Sequence, residues 1–178
     1  MLRRLSQLSA RWEPQIGEPV KVGIGINSGR VRAGNTGSKQ KFKYGPLGNA
    51  VNVASRVQGA TKHVKTHVLL TGDTAKRLAG KHPLRRIGEF RMINITEPVK
   101  LFELMPDADP DAETLRETYE LALGEFERQR FRESAAALAP LLTRYADDGP
   151  SLVLLSRAVN AMVNGPEPEH PVWTLAGK

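Results

Sequence analysis

The chain contains no cysteine, which removes thiol nucleophiles, thiolate zinc sites and disulfide scaffolds and fits a reducing cytosol. Long apolar runs are missing too. The longest, such as Leu152 to Leu155, cover only a few residues, far short of the roughly 20 that cross a bilayer as a helix. The N-terminus has no apolar h-region, so it is not read as a secretory signal, and a cytoplasmic location is expected. Acids are scarce in one half only. Residues 1–100 carry 19 Lys/Arg against 5 Asp/Glu, a net +14, whereas residues 101–178 carry 7 against 14, a net −7. Opposite signs point to two units, and 178 residues suffice for one core plus a small appendage.

The seam is Met105-Pro-Asp-Ala-Asp-Pro-Asp111, whose two prolines and three acids cannot continue a strand. The expected organisation is a basic unit over 1–105, a linker over 106–112, a helical segment over 113–164 and a Pro-rich tail over 165–178, which Trp173 could pin back. In the acidic half Leu115, Tyr119, Ala122 and Phe126 follow helical spacing, as do Phe131, Ala135, Leu138, Leu142 and Tyr145, with Pro140 as a kink site. Ser151 is expected to cap a third helix that buries Leu152, Leu155, Val159 and Met162. Helix, turn and helix over about 34 residues resembles a single tetratricopeptide-type hairpin, which cannot bury both faces and should dock on something.

In the basic half, Met1 to Trp12 is Arg-rich and acid-free and faintly imitates a transit peptide; it reads as an amphipathic helix with Leu2, Leu5, Leu8 and Trp12 on one side. Val20 to Ile26 alternates as a strand, with Gly23 and Gly25 leaving one face bare for another backbone or a ligand. Gly23-Ile-Gly25-Ile-Asn-Ser-Gly29 lacks the third glycine and the downstream acid of a dinucleotide fingerprint. A turn cluster at 34–38 leads to a second strand in which Lys39, Lys41 and Lys43 alternate with Gln40, Phe42 and Tyr44. A helix then runs from an Asn49 cap to Gly59, burying Ala50, Val53, Ala54 and Val57. At about 100° per residue, Asn52 and Arg56 fall together on the opposite face. An amide beside a forked, permanent cation suits a polar anionic ligand, although spacing alone favours a merely solvated helix face. His67–Thr71 reads as a strand, Asp73–Leu78 as a helix, and Leu84–Glu103 as two strands around Glu97-Pro98. This order gives an α+β sheet with helices on one face. His63, His67 and His82 have no metal-ligand spacing, and Ser28, Ser38 and Ser55 stand in no nucleophile elbow.

Val22-Gly-Ile-Gly-Ile-Asn-Ser-Gly-Arg-Val31, Gly34-Asn-Thr-Gly-Ser38 and Tyr44-Gly-Pro-Leu-Gly-Asn-Ala-Val-Asn-Val-Ala-Ser-Arg56 resemble class III adenylate/guanylate cyclases. Val68-Leu-Leu-Thr-Gly72 and Glu97-Pro-Val-Lys-Leu-Phe-Glu-Leu104 continue the match in order. The resemblance implies a ferredoxin-like cyclase sheet, here incomplete, followed by a small all-α segment. It implies attack of the ribose 3′-oxygen on the α-phosphorus of ATP or GTP, with release of pyrophosphate. The site would lie between two catalytic domains, with Asn52 acting on ribose and Arg56 on transition-state charge.

Some family features are not matched. The strands carrying the two metal-binding aspartates and a base-selecting lysine have no counterpart here. The base-recognition position holds Gly45, and the last hairpin reads Ile93-Asn-Ile95 where a phosphate-binding lysine is usual. Hence no metal is expected in this chain, and Mg²⁺ or Mn²⁺ only in a complete site. The expectation is a truncated cyclase, inactive alone, with ATP placed ahead of GTP and a second cyclase domain as homo- or heterodimer partner. The helical segment would have a protein partner of its own. Two other readings stand beside this one. The chain could be a non-catalytic subunit lending Asn52 and Arg56 to another half-site. It could be a basic nucleic-acid-binding module, a reading opposed by the few aromatics available for base stacking, so that no nucleic acid is expected.

Overall fold

The computed structural model describes residues 2–35, 37, 41–78, 80–106 and 112–175, with Leu2, Arg3 and Ser6 described by backbone alone. Lys39 and most of the expected linker, residues 107–111, lie outside the described residues. The first element is helix α1 (Leu2–Ile16), which runs a turn beyond the expected Trp12 and through Pro14. Leu8, Trp12 and Ile16 are exposed along one side of it. Strand β1 (Ile24–Ile26) is the last part of the run expected to be extended. β2 (Arg32–Asn35) and β3 (Tyr44–Leu47) form a separate antiparallel hairpin with Gly34 opposite Gly45. The second hairpin strand thus begins at Tyr44 instead of occupying 39–44. The Asn35 Oδ1 accepts from the backbone N–H of both Gly37 (3.1 Å) and Lys43 (3.2 Å), which holds Lys43 outside the strand.

Helix α2 (Asn49–Val64) crosses over to β4 (Val68–Thr71), which lies parallel to β1 with Ile24 opposite Val68. After α3 (Gly72–Leu78), β5 (Leu84–Arg91) and β6 (Val99–Leu104) pair antiparallel. The chain ends in helices α4 (Ala112–Glu127), α5 (Phe131–Arg144) and α6 (Gly149–Asn164) and strand β7 (Trp173–Thr174). The main sheet has the order β1-β4-β6-β5-β7. No helix among the described residues is long and apolar enough to cross a membrane.

The bare face of β1 serves another backbone. A Cβ on Gly25 would come 2.1 Å from the Gln58 nitrogen and 2.5 Å from the Ala54 oxygen, so α2 lies directly on the strand. α2 also differs from expectation at both ends. Gly48, at φ 135°, is its N-cap and accepts from the N–H of Val51 (3.1 Å) and Asn52 (3.4 Å), so Asn49 is already helical. The helix passes through Gly59 because Ala60, Thr61 and Val64 continue the buried stripe of Val53 and Val57. Burying one Val contributes about 1.5–3 kcal/mol, more than the roughly 0.5–1 kcal/mol that a mid-helix glycine costs.

A single hydrophobic cluster joins α2, the sheet and the C-terminal helices, from Val57 and Leu69 through Phe90 and Leu101 to Tyr119, Leu138 and Leu154. Leu115, Tyr119, Ala122 and Phe126 of α4 are all buried, as their spacing requires. In α5 it is Leu141, not Leu142, that joins Leu138 inside. Asp148, not Ser151, caps α6, its carboxylate accepting from the Ser151 N–H (3.0 Å). The buried side of α6 is Ser151, Leu154, Ala158 and Ala161, while Leu152, Val159 and Met162 are exposed. Small residues beside Leu154 let the helix lie close to its neighbours, and Leu152, Val159 and Met162 are turned outward. The tail is pinned as its tryptophan suggested: the Trp173 ring lies 5.0 Å from Phe90 and 4.6 Å beneath the Arg157 guanidinium, and the Leu175 N–H donates to the Arg91 carbonyl (3.0 Å).

Candidate active site

The inner face of α2 is fixed by its apolar stripe and by the glycines of the first strand segment, so its outer face is set with little freedom. Asn52 and Arg56 stand on that outer face, both exposed. Four residues apart, they are neighbours one turn along the helix. Neither side chain has a hydrogen bond or ion pair among the described residues, so the amide and the guanidinium are both available to a ligand.

Arg56 lines a groove of about 370 Å³ together with Ser55, Gln58, Met92, Ile93 and Leu175. The wall opposite the helix comes from the β5–β6 turn and the C-terminal tail. These contributors were invisible in the sequence, because nothing local to Met92 or Leu175 announces a place beside a helix more than 30 residues away. A larger cleft, about 870 Å³, lies elsewhere, between Asn27–Arg30, the start of α2 and the segment from Thr71 to Lys76. None of Asn52, Arg56 and Gly45 lines it.

Gly45 sits in hairpin strand β3, which leads directly into α2, and lies opposite Gly34. A Cβ on either glycine would meet nothing within 4 Å, so space lies open above this pair. The three histidines singled out in the sequence are exposed. His63 borders the Arg56 groove, and the His67 Nδ1 lies 3.0 Å from the Val22 carbonyl. Among the described residues no group of three or more acids or histidines could hold a metal ion. Class III cyclases generally use Mg²⁺ or Mn²⁺ in a complete site. The described donor set does not fit such an ion.

These blocks of sequence and this fold recur in known proteins. The crystal structure of the adenylyl cyclase CyaB from P. aeruginosa is similar to the chain, with a TM-score of 0.53 and 25% identity, over 61% of this chain and 55% of that one. The terminal-differentiation-specific adenylate cyclase of Dictyostelium discoideum is 22% identical over 147 residues, 79% of this chain and 7% of that protein. An adenylate cyclase of Anabaena cylindrica is 38% identical over 60 residues, 34% of this chain and 12% of that protein. The soluble guanylate cyclase subunit beta-2 of Rattus norvegicus is 36% identical over 73 residues, 41% of this chain and 11% of that protein. The chain therefore spans only a small part of the length of these curated relatives. The family model for the adenylate and guanylate cyclase catalytic domain matches residues 2–103, from α1 to β6. On that match the chain belongs to the adenylate and guanylate cyclase catalytic domain family.

Proposed function

We propose that this chain supplies the Asn52/Arg56 half of an adenylyl cyclase site, completed by the metal-binding carboxylates of a second cyclase surface. In the reaction the ribose 3′-oxygen forms a bond to the α-phosphorus of the triphosphate. The bond from that phosphorus to the bridging oxygen breaks, pyrophosphate leaves, and the 3′-hydroxyl proton goes to solvent. Asn52 orients the ribose through its amide. Arg56 faces the negative charge that develops around the α-phosphorus. A preorganised donor of this kind is worth about 10²–10³ in rate. One observation carries the reading: the two side chains stand exposed and adjacent, without partners among the described residues, on a helix whose inner face is packed. The adenylate cyclase names among the relatives support ATP ahead of GTP.

The test mixes the purified chain with a metal-competent cyclase domain carrying a disabled arginine, and measures cyclic AMP and cyclic GMP. Activity is expected in the mixture and not in the chain alone. Arg56→Ala should lower it by about 10²–10³ with an unchanged far-ultraviolet spectrum. Cyclic nucleotide made by the chain alone would remove the need for a second body. Full activity of Arg56→Ala in the mixture would remove the role assigned to Arg56.

A further inference from the structure

The helix that bears Asn52 and Arg56 ends at a closed circuit of buried contacts. Lys65 terminates α2 in the left-handed conformation, φ 58°, and Thr66 follows. The Thr66 hydroxyl donates to Glu103 Oε1 on β6. Glu103 Oε2 accepts from Arg85 Nε on β5 (2.8 Å). The terminal nitrogens of Arg85 donate to the two carboxylate oxygens of Asp148, at 2.9 and 2.8 Å. Asp148 caps α6, and the adjacent Gly149 lies against the start of the circuit: a Cβ there would come 2.0 Å from the Lys65 carbonyl oxygen. The circuit thus runs α2, β6, β5, α6 and back to α2. Arg85 is 1% exposed, and the Tyr119 ring of α4 covers its guanidinium at 4.7 Å.

We propose that Arg85 is a positioning residue for the cyclase reaction, through which the C-terminal helices set the placement of α2. The proposal rests on the assignment of Asn52 and Arg56 to the reaction. Every joint in the circuit is a charged hydrogen bond or a steric contact, so it has no slack to absorb a displacement of α6. Arg56 lies eight residues from the end of α2, about 12 Å at 1.5 Å per residue. A tilt of about 5° about that end shifts the guanidinium by about 1 Å, and a misplacement of that size costs about 10²-fold in rate. Helix α6, through Asp148 and Gly149, is therefore part of the machinery that aims Arg56, with Tyr119 of α4 covering the guanidinium of Arg85.

Thr66→Val keeps the shape of the side chain and the Arg85–Glu103–Asp148 contacts while removing the hydroxyl that joins them to α2. Assayed with the metal-competent cyclase domain, it should lower kcat by about tenfold with KM for ATP within about twofold, the pattern of lost transition-state alignment. Thr66→Ser should restore kcat. Gly149→Ala, which pushes α6 off Lys65, should lower kcat in the same direction. Hydrogen exchange of the full chain gives a readout free of activity: Thr66→Val should speed exchange at the Asn52–Arg56 turn as well as at the helix end. Unchanged kcat with a lowered thermal midpoint, or unchanged exchange at that turn, would overturn the proposal. Wild-type mixture without cyclic nucleotide would instead remove the functional reading, leaving the exchange experiment to decide the mechanical link.

Discussion

Around Arg56 the molecule is open: the side chain is exposed, has no partner among the described residues and borders a shallow groove. Around Arg85 it is closed, with two carboxylates on the guanidinium and an aromatic ring over its face. The difference lies in desolvation. Burial by itself would favour discharging Arg85, but the Asp148 hydrogen bond and the charges of Glu103 and Asp148 outweigh it, and its pKa rises above the ordinary guanidinium value. Burial likewise opposes the charge on Asp148, and Arg85 again prevails, holding that carboxylate below its usual range. Arg56 keeps its water until an anion displaces it, so its full charge is available for a ligand. Two arginines on one fold therefore divide into one held between carboxylates and one left open to solvent.

The largest effect should come from breaking the closed side. Arg85→Met leaves two largely buried carboxylates without their cation and should cost about 3–5 kcal/mol of stability, read from urea unfolding of the full chain. Arg56→Ala should move that unfolding midpoint by no more than about 0.5 kcal/mol while removing most of the turnover in the assembled enzyme. Equal loss of stability in the two variants would erase the distinction between them. Gly25→Ala tests the seat of α2 without touching either arginine, because its Cβ would press on the Gln58 nitrogen; about 1–3 kcal/mol of destabilisation is expected.

Acid sharpens the comparison further. The folded-state pKa of Asp148 is depressed, so its stabilising contribution is complete above the unfolded-state value of about 3.9 and is lost as pH falls through the lower folded value. Wild-type unfolding free energy should thus decline below about pH 4, and Asp148→Asn should flatten that decline. An unaltered acid limb in the variant would show that the carboxylate contributes nothing to it. The smallest effect belongs to Trp173→Ala, which unpins the tail. Its aromatic contacts are worth about 0.5–1.5 kcal/mol, and a thermal midpoint shift of a few degrees is the expected readout.

Much of this was legible in the residues. The α2 and α4 stripes obeyed their periodicity, and Asn52 and Arg56 fell on the exposed face that 3.6-residue spacing gave them. Periodicity failed where size and polarity disagreed about which side is inside. On α6 the large residues Leu152, Val159 and Met162 suggested a core face, but close packing favoured Ala158 and Ala161. Gly59 suggested a helix end, yet the buried residues beyond it prevailed. Ser151 and Asn49 are both good capping types, and each was displaced by a neighbour already placed for the task. The Arg85 circuit was illegible for another reason. Its members are 18 and 63 residues apart in sequence, and no local pattern records a partner at that distance.

That separation has a consequence for how the chain is made. During synthesis Arg85 emerges well before Asp148, and at about 5–20 residues per second the interval of 63 residues lasts about 3–13 s. Glu103 arrives first, so for most of that time the guanidinium has one carboxylate of its two. The free edge of β5 waits longer still, until Trp173 and Thr174 are delivered to it. An unpaired strand edge is open to pairing with other chains. Trp173 and Thr174 therefore act as a late closure of this edge of the sheet, and the nascent chain keeps that edge open to misassembly until they appear.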